Sequence, residues 1–150
     1  KRDSISADNQ VSEATAIVIE EAKSAIGMIK RAIASYIDSG FDSTHIANVP
    51  SSLSSVRGAF DILKMRRLAA VTGSATRFVK TFMGRESSDA QRDAQALETL
   101  ADAMISVEYY LGELGSRPIP DEKILLIAED SLKQLGFPVE MAQDTGNAAS

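Results

Sequence analysis

Cysteine and tryptophan are absent from this 150-residue chain, and histidine occurs once, at His45. Without cysteine there is no disulfide framework, no thiol nucleophile and no thiolate-bound metal. Aromatic residues make up only 5% of the chain. No apolar run approaches the roughly 18 residues that span a bilayer, and no start-of-chain signal pattern is present. Strict polar–apolar alternation is never sustained, so no strand is expected. The phosphate-cradling pattern Gly-x-x-x-x-Gly-Lys-Ser/Thr and the pattern Gly-x-Gly-x-x-Gly are both missing. Cofactors and metals are therefore not expected, and neither is catalysis by the chain itself. The net charge of −5 argues against nucleic acid as a partner, because phosphate neutralisation needs a basic surface. Membrane insertion is likewise not expected, and a cytoplasmic location is. The first residue is lysine rather than methionine, which reads as a piece of a longer protein.

What remains is helical periodicity. Val11, Ala14, Val18, Ala22, Ala25, Ile29, Ile33 and Tyr36 recur three and four apart, the stripe of an amphipathic helix, with Gly40 as its stop. A connection over Phe41 to Val49 follows. Pro50 then suits the first turn of a second helix, whose apolar face is Leu53, Val56, Phe60 and Leu63. A third helix from about Met65 carries Leu68, Val71, Ala75, Phe78 and Phe82 inward. Gly84 to Asp93 reads as a charged loop. The fourth helix repeats Leu97, Leu100, Met104, Val107, Leu111 and Leu114, a seam suited to a bundle. The fifth runs from about Pro120 to Leu135, with Leu125, Ala128, Leu132 and Leu135 inward and Gly136 as its stop. The fold class is all-α: an antiparallel up-down four-helix bundle with an additional C-terminal helix. It is expected to occupy residues 11–139, between a flexible lead-in over 1–10 and a disordered tail over 140–150.

Few residues offer chemistry. Asp42 and His45 have a spacing that metal ligands use on helices, but one such pair falls short of a di-metal set. His45 therefore reads as a loop or cap residue. Glu98 and Asp102 read as a solvated face, and Met28, Met65, Met83 and Met104 as core filler. Glu108 is a candidate to pair with an arginine of the middle stretch. That stretch concentrates the basic residues, with Arg57, Lys64, Arg66, Arg67, Arg77, Lys80 and Arg85 between acidic flanks.

One stretch breaks a local rule. Gly58 stands inside the second helix, where glycine costs about 1 kcal/mol relative to alanine. At about 100° per residue, Ser54 points away from the Leu53/Val56/Phe60 face, and Arg57 and Gly58 are its outer neighbours one turn on. The outer surface then presents a hydroxyl, a guanidinium and bare backbone, an arrangement able to receive an anionic group.

The pattern Ser54-x-x-Arg57-Gly58 resembles the His-x-x-Lys-Gly motif of histidine-phosphotransfer (Hpt) domains, with serine in the histidine place. "ANVPSSLSSVRGAFDIL", "ALETLADAMISVEYYLGEL" and "ILLIAEDSLKQLGFPV" are similar to the Hpt-type modules of ChpA-like hybrid histidine kinases from type IV pilus chemosensory systems. The resemblance implies a phosphotransfer-like module in two-component signalling and twitching motility, with a histidine kinase as the parent chain. Implied partners are a response-regulator receiver domain or other domains of that kinase. Ser54 would stand at the phosphoacceptor position, Arg57 and Gly58 would support it, and Lys64, Arg66 and Arg67 would extend a docking face. Serine in place of histidine implies a degenerate module serving as an interaction or spacer domain. The alternative is a relay that uses Ser54 itself as acceptor.

Overall fold

A computed structural model of the chain describes residues 2–86, 89–116 and 120–140, with side chains from Glu13 onward. Its elements are α1 (Arg2–Asp38), a short 3-10 turn (Ser43–His45), α2 (Val49–Ile62), α3 (Arg66–Gly84), α4 (Ala90–Ser116) and α5 (Ile124–Gln134). The described residues contain no strand. α1 is helical from Arg2, across positions read as lead-in. α4 begins at Ala90, inside the stretch read as a loop. Most of the stretch read as a disordered tail lies outside the described residues.

α1 packs on α2 and α4, α2 on α3, and α5 on both α4 and α3, so α5 bridges the gap between the third and fourth helices. Most of the inward residues are those the periodicity selects. Leu53, Val56 and Phe60 of α2, and Leu97, Leu100, Met104, Val107 and Leu111 of α4, are buried together with Ile26, Ile29 and Ile33 of α1. At roughly 25 cal/mol per Å² of apolar surface, this burial is the main force ordering the helices. Ala14, counted in the α1 stripe, is exposed, and Ile26, which falls between its members, is completely buried. Met104 is buried as expected, but Met28 and Met83 stand 61% and 40% exposed.

Helix ends are closed by backbone geometry. Gly40 has φ +78°, and Phe41 N–H reaches back to the Tyr36 carbonyl at 2.8 Å. Gly136 repeats this at φ +89°, with Phe137 N–H on the Leu132 carbonyl at 2.9 Å. Between α2 and α3 the same left-handed position is filled by Lys64 at φ +61°, and Met65 N–H donates to the Phe60 carbonyl at 2.9 Å. A lysine there carries a Cβ penalty that glycine avoids. Lys64→Gly is therefore expected to raise stability by about 0.5–1 kcal/mol, read as a higher denaturant midpoint at unchanged slope. A lower midpoint would mean that the lysine stem contributes packing beyond this penalty.

Candidate functional site

α2 presents Ser54, Ser55 and Arg57 to solvent, with Gly58 half-buried beside them. Pro50 occupies the first turn, and the buried set Leu53, Val56 and Phe60 turns the opposite face inward, which leaves Ser54 outside. The Ser54 hydroxyl makes no hydrogen bond to a described residue. No base activates it, and a lone helix-surface hydroxyl is a weak nucleophile. A Cβ built on Gly58 would meet nothing within 4 Å beyond its own helix. No neighbouring helix therefore requires this glycine by crossing close to it.

The close approach occurs elsewhere. The Arg57 guanidinium lies across Gly73 of α3, with Nη1, Cζ and Nε at 3.1, 3.3 and 3.5 Å from where a Cβ would stand. Its Nε is also 3.9 Å from the exposed Asp61 carboxylate. One turn further along α3, Arg77 Nη2 donates to Ser74 Oγ at 3.0 Å. Ser74 Oγ in turn donates to the Pro138 carbonyl at 3.4 Å, which ties the chain after α5 to α3. Phe137 packs edge-on against Phe78 beside it, with ring centroids 5.8 Å apart. Gly73 and Ser74 lie outside the apolar stripe of α3, and Arg77 stands out in the sequence only as one of the basic cluster. The signal that links them is a mid-helix glycine in "VTGSATR", followed four residues later by an arginine.

The basic residues of the middle stretch divide by environment. Lys64, Arg66, Arg77 and Lys80 are exposed. Arg67, placed with the docking face by sequence, is instead turned onto α5. Its Nε and Nη2 donate to Glu129 at 2.6 and 2.8 Å, and its Nη1 donates to Glu122 at 3.1 Å. These bonds, the Glu129 pair first, hold the guanidinium pKa above its already high ordinary value. Tyr110, on the buried side of α4, is also pushed up, by burial first and by the Glu122 charge second. Tyr109 beside it is 59% exposed. Glu108 pairs with Lys30 of α1 and not with an arginine of the middle stretch.

His45 is exposed at the end of the 3-10 turn, before the start of Ser54's helix. Its neighbour Asp42 accepts hydrogen bonds from Thr44 N at 3.0 Å and Thr44 Oγ1 at 2.8 Å. Those bonds lower the Asp42 carboxyl pKa and give it a capping role. No group of metal-ligating side chains occurs among the described residues. No helix of the described residues is long and apolar enough to cross a membrane.

Residues 9–132 match the family described as the FimL C-terminal domain. The chain belongs to that family. A FimL relative, the scaffold protein FimL of Pseudomonas aeruginosa, is 42% identical over 132 residues. The match takes in 87% of this chain and 23% of that protein, so the chain spans about a quarter of the FimL relative's length. No solved structure matches.

Proposed function

We propose that this FimL C-terminal domain is a degenerate Hpt-like module, an antiparallel four-helix bundle with α5 added. It serves as an interaction or spacer domain in a type IV pilus chemosensory assembly in the cytoplasm. The observation that carries this reading is the outer surface of α2, where hydroxyl, guanidinium and bare backbone remain at phosphotransfer spacing without an imidazole. Imidazole nitrogen forms a phosphoramidate that passes readily to a carboxylate. The serine ester is far more inert, and no group beside Ser54 activates its hydroxyl. The face then recognises a receiver domain, or another domain of the signalling assembly, without exchanging phosphate. The scaffold character of the FimL relative supports a role in binding. A second reading, in which Ser54 itself accepts phosphate, draws its support from the exposure of that hydroxyl.

The test mixes the domain with a receiver carrying a radiolabelled aspartyl phosphate. The degenerate reading expects no label on the wild-type domain and label on Ser54→His, because the restored imidazole accepts phosphorus while the receiver still docks. Label on the wild type that disappears in Ser54→Ala would instead establish the serine relay. Failure of Ser54→His to gain label, together with no measurable receiver binding by either form, would overturn the Hpt-like assignment.

A further inference from the structure

Ser54 and its neighbours occupy α2 and α3, but a separate surface runs along the seam between α1 and α4. Lys23 lies at Gly112, and Gly27 lies at Glu108, so the two helices run in opposite directions. Their seam opens into two adjoining clefts of about 390 and 290 Å³ that share Lys23 and Gly112. The joined furrow follows α4 from Ile105 to Gly115, about 15 Å at 1.5 Å per residue. Side chains are small where a visiting backbone would lie closest: Ala16 on α1, Gly112 and Gly115 on α4. Apolar surface flanks this floor, with Ile105 50% and Tyr109 59% exposed. A long, shallow, apolar furrow floored by glycine fits a helix better than a compact small molecule.

Charge narrows the class of occupant. From residue 94 to 116, α4 carries Glu98, Asp102, Glu108 and Glu113 and no lysine or arginine. Across the seam, α1 adds the exposed Glu20. Lys30 is committed to Glu108, and Arg31 Nη1 stands near that carboxylate, 3.7 Å from where a Gly27 Cβ would be; of the residues lining the two clefts, Lys23 is the cation. We infer that the α1–α4 furrow docks a basic amphipathic helix of a partner protein, its apolar side on Ile105, Tyr109 and the glycine floor and its cations against the acidic rim. This site is independent of the α2 face, so the domain can hold two partners at once.

The probe is a fluorescent helical peptide of about 18 residues with leucine on one face and lysine on the other. Its counterpart carries glutamate in place of lysine. The lysine peptide is expected to bind and the glutamate peptide not to bind at the same salt. Amide chemical-shift changes are expected on α1 and α4. Gly112→Leu fills the furrow, and a Cβ there meets only the flexible end of Lys23 at 3.6 and 3.9 Å. It should leave the melting profile intact and weaken binding at least about tenfold, or 1.4 kcal/mol. Tyr109→Lys should weaken it as well, by like-charge repulsion. Arg57→Gln on the other face should leave it within about twofold, as distant, independent sites do. The inference is overturned if both peptides bind equally, if the shifts fall on α2 and α3, or if Gly112→Leu has no effect. It is also overturned if sedimentation finds a dimer that Gly112→Leu dissociates, since a second copy would then fill the furrow.

Discussion

Phe60→Ala is expected to cost about 3–5 kcal/mol of folding stability, the range for removing a buried aromatic ring from a core that cannot collapse around the gap. Phe60 is completely buried. Its carbonyl also closes the α2–α3 corner by accepting from Met65 N–H at 2.9 Å. Backbone and ring therefore hold the same place. The corner is fixed by the left-handed Lys64, so the helices cannot slide together to refill the volume. For a domain of this size each kcal/mol moves the midpoint by roughly 2–4 °C, so the loss should read as ~10 °C in a thermal melt. Ser54→Ala is the control. An exposed serine without a hydrogen-bond partner should change stability by no more than about 0.5 kcal/mol. A Phe60→Ala loss below about 1 kcal/mol would mean that the ring is not packed as described.

The second large effect concerns Arg67. Arg67→Ala is expected to cost about 2–3 kcal/mol, within the span of hydrogen bonds to charged groups lost from a half-buried site. The guanidinium and Glu129 side chains are 29% and 24% exposed, whereas Glu122 is 64% exposed. Most of the loss should therefore trace to Glu129, left without its fork. Glu122→Gln should cost less than about 0.5 kcal/mol, as exposed pairs do. Arg67→Lys should restore less than half, because an ammonium cannot make both parallel bonds. A pKa raised on folding gives stability that is complete at lower pH and lost only as pH climbs through the folded value. For Arg67 that value lies above any working pH, so the contribution should stay constant on the alkaline side. Chemical denaturation of the three variants at neutral and alkaline pH checks both points. Equal losses for Glu122→Gln and Arg67→Ala would refute this division of roles.

The helices were readable because burial leaves a periodic trace. Leu97 to Leu111 is one unbroken three-four spacing, and every member is buried. Contacts between distant segments leave no such trace. Nothing local to Arg67 distinguishes it from Arg66, yet one turns onto α5 and the other into solvent. Gly58 drew attention as the glycine of a motif, but the glycine that admits a guanidinium is Gly73. Gly27 shows the same effect, since a Cβ there would stand 3.3 Å from Glu108 Oε2. Met28 and Met83 misled because methionine is apolar by composition, while its exposure depends on which neighbouring helix arrives.

By itself, then, the order of residues determined the all-helical character of the described residues, most of the inward stripe of each helix, the glycine-closed ends of α1 and α5, and the outward placement of Ser54. These follow from a rotation of about 100° per residue and from the cost of leaving apolar side chains in water. Only the tertiary structure decided that α5 bridges α3 and α4, that Arg67 is consumed in doing so, that Arg57 rests on Gly73, and that α1 and α4 leave an acid-rimmed furrow between them. Each of these depends on which surfaces meet across tens of residues, and that is set by the packing of whole helices rather than by the spacing within any one.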